Sequence, residues 1–236
     1  NHNKIVLGTV QFGMEYGVTN ISGKPTKQQV FSTLNLAWES GIRHFDTAPG
    51  YGSEVLLGEF ISVNGLQKEA IILTKIPSLK ESSDYKQTIR EYLESSLKNL
   101  ECTVEVLFFH DPADSELLLE SPDYFEKLLI EYPVSSLGVS VYVPHEVERL
   151  SGCEFELAFQ FPLNVLDQRF KQVSMPKGGR YARSIFLQGL LATPYGLREG
   201  VPEALVNLQR KYHDRLAEYD LDPVSFAVNF AANYAE

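Results

Sequence analysis

Short apolar runs alternate along this chain with longer segments in which apolar residues recur every three or four positions. The run Ala70–Ile76 is apolar except for Thr74 and Lys75, which is typical of a strand. The segment from about 85 to 99 has helical spacing and predicts an amphipathic helix. Strands that alternate with helices in this way predict βαβ units and a parallel sheet.

The same pattern predicts seven strands, most of them followed by a helix. The strands cover Lys4–Thr9, Ile42–Phe45, Ala70–Ile76, Val104–His110, Ser136–Ser140, Phe155–Gln160 and the first part of Arg180–Leu191. The helices cover about residues 27–40, 53–63, 85–99, 114–132, 201–218 and 223–234, and a short helix begins at Pro144.

Several predicted helices are preceded by residues that cap helix ends. Thr26 precedes the helix at 27–40, and Asp222 precedes a proline at the start of the last helix. The helix at 85–99 has a candidate cap in Ser83 or Asp84, and the helix at 53–63 has one in Ser53.

The stretch 41–58 joins the second strand to its helix through a tight loop. Pro49 and the glycines after it break the strand. Asp46 lies just past the strand, and Tyr51 follows five residues later. Polar groups at the carboxyl end of a strand are typical of active sites in parallel α/β proteins. Taken alone, these two residues fit a capping carboxylate and a half-buried phenol equally well.

Lys75 lies near the carboxyl end of an otherwise apolar strand. Because an unpaired buried ammonium is costly, its head group must either reach solvent at the rim or pair with a carboxylate. Asp46 is the candidate partner, because adjacent parallel strands bring both groups to the same end of the sheet. We favour the pairing.

His110 ends the fourth strand in the sequence His-Asp-Pro. A single histidine after an apolar strand is more often structural than catalytic. Here, Asp46, Tyr51, Lys75 and His110 come from three successive strands and converge on one end of the sheet. This convergence favours a catalytic role.

Residues 41–58 resemble the aldo-keto reductase signature G-x-R-x-F-D-T-A-x-x-Y-G-x-S-E-x-x-L-G, with the serine spacing shortened by one. The resemblance implies a (β/α)8 TIM barrel that reduces carbonyls with a nicotinamide cofactor. It also implies a catalytic tetrad of Asp46, Tyr51, Lys75 and His110. In that tetrad Tyr51 donates the proton, Lys75 lowers the pKa of Tyr51, Asp46 holds Lys75, and His110 orients the carbonyl.

The resemblance implies cofactor contacts as well. Ser140 and Gln160 match positions that hold the nicotinamide carboxamide, although Val141 stands where many relatives have asparagine. Arg183 replaces a tyrosine that stacks on the nicotinamide ring, and a guanidinium plane can also stack. NADPH is expected over NADH, although the sequence does not reveal the cation that discriminates between them. The expected contacts are Gly8, Thr9, Val10, Asp46, Ser140, Gln160, Arg183, Ser184, Gln188 and Gly189.

Two of these assignments, and one further segment, have simpler alternatives. Arg183 also fits a cation at the rim, and Gln188 with Gly189 either lines the pyrophosphate groove or merely turns the chain. The glycine-rich segment Gln11–Gly17 resembles the family's first loop over the cofactor, and it equally fits an ordinary flexible turn.

The resemblance is incomplete in two places. The family's eighth strand, phosphate loop and following helix would come after Glu236, and Lys171–Gly179 is short where relatives have a helix. The expected fold is therefore one TIM-barrel domain, residues 1–236, that lacks or does not show its last strand. Such a barrel would have two unpaired sheet edges. Disordered or removed segments, or a degenerate barrel, would explain both the missing eighth strand and the short segment.

Composition narrows the class of protein. The 236 residues, 44% of them hydrophobic, suffice for one sizeable core. A net charge of −10 weighs against nucleic-acid and anionic-membrane partners, and no apolar run approaches the ~20 residues of a membrane span. Cys102 and Cys153 are expected to be reduced thiols in a cytoplasmic protein without a signal peptide. The oligomeric state is left open.

Other chemistry finds little support in the sequence. The five histidines show no ligand spacing, so no metal site is predicted, which also disfavours a sugar isomerase or lyase. A serine nucleophile elbow and a Walker loop are both absent. We therefore predict an NAD(P)H-dependent oxidoreductase acting on a small-molecule aldehyde or ketone. The alternative is a barrel that keeps the tetrad but is a weak or inactive binding or regulatory subunit.

Overall fold

The computed structural model describes residues 5–234. Seven parallel strands form one sheet, in which each strand pairs with the next along the chain. The sheet is curled. A hydrogen bond between a side chain of its sixth strand and a side chain of its second strand spans the concave face. The strands are β1 (Val6–Gly8), β2 (His44–Asp46), β3 (Ile71–Ile76), β4 (Val104–Phe109), β5 (Val134–Ser140), β6 (Ala158–Pro162) and β7 (Arg180–Arg183).

The predicted strands are confirmed, and their ends differ by a few residues. The predicted start of β1 at Lys4 lies outside the described residues. β2 extends to Asp46, which is therefore the last residue of the strand. β6 begins at Ala158 rather than Phe155, because pairing with β5 begins where Ala158 lies opposite Gly138.

Helices and 3-10 turns connect the strands. The helices are α1 (Val10–Gly13), α2 (Lys27–Glu39), α3 (Glu54–Val63), α4 (Tyr85–Leu100), α5 (Leu117–Glu120), α6 (Pro122–Glu131), α7 (His145–Glu148), α8 (Glu203–Glu218) and α9 (Pro223–Ala232). The 3-10 turns are Pro49–Tyr51, Pro112–Glu116 and Leu187–Gly189. In the described part of the chain, none of the helices has the length and apolar character needed to cross a membrane.

Three predicted caps are confirmed. The side chains of Thr26, Asp84 and Asp222 each accept a backbone N–H bond at the start of α2, α4 and α9. The prediction for Ser53 is wrong, because its hydroxyl makes no capping bond to α3. Ser53 is instead wholly buried and bonds to two threonine hydroxyls beneath the site described below.

Strand alternation sends one set of side chains to the concave face of the sheet. Leu73, Phe108 and Ala158 belong to a small buried cluster there, and Tyr181 packs against it. Gly138 faces the same cluster, since a Cβ at this position would lie 2.6 Å from the Phe108 ring. The larger hydrophobic clusters occupy the other face, between the sheet and the helices.

Residues two positions further along these strands face the same way and lie at the carboxyl ends of the strands. This second layer is polar, in contrast to the apolar layer beneath it. It consists of Lys75, His110, Ser140, Gln160 and Arg183.

Candidate active site

Asp46 and Lys75 form a buried ion pair at the ends of β2 and β3, as predicted. The Lys75 Nζ lies 2.6 Å from Oδ1 and 2.8 Å from Oδ2 of Asp46, and it donates to the Thr47 carbonyl oxygen at 2.9 Å. Burial lowers the pKa of Lys75, and the carboxylate opposes this shift. Three acceptors around one nitrogen match the three N–H donors of a charged amine.

Tyr51 lies beside this ion pair at the end of the 3-10 turn Pro49–Tyr51. The centroid of its ring is 5.1 Å from the Lys75 Nζ. The His110 ring stands perpendicular to the Tyr51 ring, with 6.2 Å between the centroids. The structure therefore brings the four predicted tetrad residues together at one end of the sheet.

The pKa of Tyr51 shifts in the direction opposite to our expectation. Burial raises it well above its ordinary value, and the Asp46 carboxylate adds to the rise. Arg183 acts in the opposite direction. The three donors of Lys75 are directed at Asp46 and at the Thr47 carbonyl oxygen.

The surroundings of His110 favour its neutral form. Burial lowers its pKa, and the nearby cations Lys75 and Arg183 lower it further. A neutral imidazole carries one N–H, so His110 has one hydrogen bond to donate.

Three buried hydroxyls fix the backbone at Asp46. Thr9 Oγ1 donates to the Asp46 carbonyl oxygen at 2.9 Å and lies 2.9 Å from Ser53 Oγ. Ser53 Oγ is in turn 3.0 Å from Thr47 Oγ1. All three hydroxyl residues are fully buried, so this cluster holds the ion pair in place from below.

The predicted cofactor residues Gly8, Thr9 and Val10 form the end of β1 and the start of α1. Gly8 pairs with Asp46 in the sheet. The polar groups of Thr9 are already engaged: its hydroxyl bonds Asp46 and Ser53, its N–H donates to the Asp46 carbonyl oxygen at 2.9 Å, and its carbonyl oxygen accepts from the Phe12 N–H.

Gly13 positions the Tyr51 turn, and the sequence analysis missed it. A Cβ on Gly13 would lie 1.8 Å from the Tyr51 carbonyl oxygen, so the end of α1 approaches this turn more closely than any side chain allows. The four-residue α1 occupies the segment interpreted from sequence as a loop.

Ser140 and Gln160 lie opposite each other on β5 and β6. Gln160 Nε2 donates to Asp46 Oδ1 at 2.8 Å, across the concave face of the sheet. The amide predicted to hold a cofactor therefore also holds the carboxylate of the ion pair. Its Oε1 stays available as an acceptor.

Arg183 reaches from the end of β7 to the end of β5. Nη2 donates to the Val141 carbonyl oxygen at 3.1 Å, and Nη1 donates to Ser184 Oγ at 3.3 Å. The guanidinium carbon lies 4.4 Å from the centroid of the Tyr142 ring. The Arg183 guanidinium thus lies over a ring of the protein itself.

Gln188 and Gly189 lie against the loop that follows α1. The Gln188 carbonyl oxygen accepts from the Val18 N–H at 3.1 Å, and a Cβ on Gly189 would lie 1.9 Å from Thr19 Oγ1. Gln188 lines a cavity of about 480 Å³ together with Arg198 and residues of the same loop. Their predicted cofactor contact stays a prediction.

Comparison with known sequences gives the family. The sequence model of the Aldo/keto reductase family matches residues 4–175, which is more than half of the chain. This chain belongs to that family. It is 27% identical over 229 residues to the D-threo-aldose 1-dehydrogenase of Pseudomonas sp, covering 78% of this chain and 69% of that protein. It is 25% identical over 183 residues to the aldo-keto reductase YhdN of Bacillus subtilis, covering 74% and 54%.

Solved structures confirm the fold of this aldo/keto reductase. The glycerol dehydrogenase of Gluconobacter oxydans superposes with a TM-score of 0.74 at 21% identity, covering 98% of this chain and 80% of that one. The predicted TIM-barrel fold is therefore confirmed, with seven parallel strands in residues 5–234 and the eighth not among them.

A cavity of about 540 Å³ opens beside His110 in this aldo/keto reductase. Ser78 Oγ donates to Asp111 Oδ2 at 3.0 Å on its wall, and Glu146 accepts two main-chain N–H bonds there. Sequence reasoning missed most of this wall, although Asp111 is visible in the His-Asp-Pro sequence. The lining residues are Ser78, His110, Asp111, Pro112, Tyr142 and Glu146.

Proposed function

We propose that this aldo/keto reductase reduces a small aldehyde or ketone to an alcohol with NAD(P)H, and that Tyr51 is the proton donor. One observation carries the proposal. The buried Asp46–Lys75 ion pair, the Tyr51 phenol and the neutral His110 meet at the carboxyl ends of three successive strands. Active sites of TIM barrels occupy this end of the sheet.

Each of the four residues has a distinct task. Tyr51 gives its proton to the carbonyl oxygen as negative charge develops there. His110 donates its single N–H to the same oxygen and orients the substrate. Asp46 keeps Lys75 charged and in place, and the ion pair keeps the phenol at a fixed position.

The residues at the ends of β5, β6 and β7 fit a nicotinamide group. A carboxamide needs an acceptor and a donor, which Gln160 Oε1 and the buried Ser140 hydroxyl provide. Arg183 adds a buried Nε with no hydrogen-bond partner among the described residues. When bound, the cofactor supplies the hydride, and the protein supplies alignment and electrostatics. We propose NADPH as the cofactor, in a cytoplasmic setting.

The cavity beside His110 suits a small polar substrate. Its wall offers carboxylate, hydroxyl and phenol groups from Asp111, Ser78 and Tyr142, with a proline as the apolar member. Hydroxyl and carboxylate groups bind a neutral, hydroxyl-bearing carbonyl compound, and the two carboxylates repel an anionic one.

Substitution of Tyr51 tests the proton-donor role. Tyr51→Phe removes the donor and keeps the ring, so we expect turnover to fall about 10²–10⁴-fold. We expect the dissociation constant for NADPH, measured by nucleotide fluorescence, to stay within about twofold of wild type, because the phenol acts on the substrate. Tyr195→Phe removes an exposed phenol and serves as the control.

The same titration separates the enzyme from a regulatory or binding subunit. Saturable binding of NADPH with turnover of small aldehydes supports the enzyme. A folded protein that binds neither NADPH nor NADH supports the non-enzymatic alternative. Parallel loss of turnover and cofactor affinity in Tyr51→Phe would assign Tyr51 a structural role.

A further inference from the structure

Gln160 lies on β6 with a fixed main chain and a buried side chain. Its carbonyl oxygen accepts from the Val141 N–H at 2.8 Å, and it pairs with Ser140 in the sheet. Its side-chain amide crosses the concave face, where Nε2 donates to Asp46 Oδ1 at 2.8 Å. The residue is only 6% exposed. Because an amide has a donor end and an acceptor end, this contact decides which end points away from Asp46.

Asp46 can only accept in this contact. Its two oxygens receive the Lys75 ammonium at 2.6 and 2.8 Å, so the carboxylate is ionised and has no proton to donate. If the Gln160 amide turned over, Oε1 would face Asp46 Oδ1, and two acceptors would meet without a hydrogen between them. Such a contact loses the hydrogen bond in a buried setting. The ion pair therefore locks the amide with Oε1 on the side away from Asp46.

We propose that Asp46 is a positioning residue for the cofactor, because through Gln160 it makes this part of the site a hydrogen-bond acceptor that requires the NH2 of the nicotinamide carboxamide. The inference rests on the proposed function, in which Gln160 and Ser140 hold that carboxamide. The ion pair, and not the glutamine by itself, is the source of this polarity.

Ser140, the other group that we propose for the carboxamide, does not set its orientation. Ser140 is 2% exposed and lies opposite Gln160 on the neighbouring strand. A hydroxyl rotates and serves as either donor or acceptor, so Ser140 adapts to either end of a carboxamide. The locked amide of Gln160 does not adapt. We therefore expect the carboxamide in one orientation, with its NH2 at β6 and its oxygen at β5.

One carboxylate thus serves both halves of the reaction. Asp46 holds Lys75 beside Tyr51, which donates the proton. The same carboxylate fixes Gln160, which orients the ring that carries the hydride. Loss of the carboxylate charge should therefore change the recognition of the cofactor's carboxamide. A carboxylate that served the ion pair alone would leave that recognition unchanged.

A cofactor analogue without the donor tests this assignment. The 3-acetylpyridine analogue of NADP⁺ has a methyl ketone in place of the carboxamide, so it keeps the oxygen and lacks the NH2. Isothermal titration calorimetry gives the dissociation constants of NADP⁺ and of this analogue. Wild type should bind the analogue at least about tenfold more weakly, because Gln160 Oε1 is left without a partner. Gln160→Met removes the acceptor, so the two constants should agree within about twofold.

Two further variants separate the lock from the binding groups. In Asp46→Asn the side chain at position 46 both donates and accepts, so Gln160 is free to turn over. The preference for NADP⁺ should then fall at least about threefold, although Gln160 is still present. Ser140→Ala is the matched control. It removes the group beside the carboxamide oxygen, which both ligands share, so it should weaken both and keep the wild-type ratio.

Nuclear magnetic resonance reports the lock without any cofactor. The side-chain NH2 signals of Gln160 in the ¹H–¹⁵N spectrum of the free protein are assigned by their absence in Gln160→Met. One of the two protons should lie downfield in wild type, because it is bonded to a carboxylate. This shift should disappear in Asp46→Asn.

Equal affinity of wild type for NADP⁺ and the analogue would overturn the inference and leave the proposed function intact, as would an unchanged ratio in Asp46→Asn. Binding of no nicotinamide nucleotide by a protein whose Gln160 signal shows the lock would reject the proposed function, and the inference with it. If Asp46→Asn does not fold, the ratios of wild type and Gln160→Met and the NH2 signal of the free protein decide.

Discussion

Lys75 is the residue on which the candidate site depends, because its buried ammonium bonds both the Asp46 carboxylate and the main chain at Thr47, just before the turn that carries Tyr51. Its side chain is 1% exposed, and that of Asp46 is 15% exposed. A buried charge is tolerated only while it is paired and hydrogen-bonded. The three bonds from Lys75 Nζ to Asp46 and Thr47 meet that condition.

A double-mutant cycle measures this pairing. Asp46→Asn leaves a buried ammonium and Lys75→Met leaves a buried carboxylate, so each should lower the free energy of unfolding by about 3–5 kcal/mol. The double variant removes both charges. Its loss of unfolding free energy should therefore be smaller than the sum of the two single losses by at least about 2 kcal/mol. Urea unfolding followed by circular dichroism gives the three values. Additive losses would show that the two charges are not coupled.

At this scale, sequence reasoning identified which residues meet but not how their hydrogen bonds are shared. Lys75 was placed with Asp46 because two neighbouring strands end together. The engagement of the Thr9 hydroxyl and the position of the Arg183 guanidinium over the Tyr142 ring were not predictable. Both depend on competition among donors and acceptors brought together from distant parts of the chain. The cofactor contacts of Ser140, Gln160 and Ser184 stay predictions.

Among the elements, the short 3-10 turn that carries Tyr51 matters most for the candidate site, because it places the phenol. It ends at Gly52, whose φ of 69° lies in the left-handed region. The end of α1 packs against it through Gly13, where a side chain would meet the Tyr51 carbonyl oxygen. The position of the phenol therefore depends on an element outside the sheet.

Gly13→Ala tests this dependence. The added methyl group must push the Tyr51 turn away from α1, so we expect kcat/KM to fall at least about tenfold, because catalysis is sensitive to such displacements. Gly152→Ala is the matched control, because a Cβ at Gly152 has open space around it. Steady-state kinetics of both variants give the comparison. Unchanged activity in Gly13→Ala would show that the turn is held by other contacts.

The long elements were predictable, and the short ones were not. Caps such as Thr26 and Asp84 mark helix starts because their side chains satisfy backbone N–H groups locally. The four-residue α1 carries no such signal, and its N-cap Thr9 makes no capping bond. Short elements of this kind form through tertiary contacts, which a local pattern does not record.

Across the whole molecule, loop contacts connect the two ends of the seven-stranded sheet. The loop after α1 and the segment after β7 share two main-chain bonds, from Val18 N–H to Gln188 and from Arg198 N–H to Val18. An ion pair joins Arg198 to Glu15 at 2.6 Å. Gly189, with a φ of 98°, packs on the same loop. These contacts link the chain beyond β1 with the chain beyond β7.

Two substitutions rank these contacts. Gly189→Ala combines a left-handed backbone with a clash against Thr19, so we expect unfolding free energy to fall by about 1–3 kcal/mol. Arg198→Ala removes an exposed ion pair and should lower the free energy of unfolding by at most about 1 kcal/mol. Because salt screens the pair, the loss should be smaller at high salt. Urea titrations at two salt concentrations measure both. A larger loss for Arg198→Ala would mean that the ion pair, and not close packing, joins the loops.

The bond from Gln160 to Asp46 joins two regions separated by 114 positions along the chain. Recombination between related genes with a crossover anywhere between β2 and β6 would pair one parent's carboxylate with the other parent's residue at position 160. Hybrids that bring an apolar side chain to this position would retain their strand order and leave the carboxylate with one fewer donor. We therefore expect the residues at positions 46 and 160 to come from the same parent in functional hybrids.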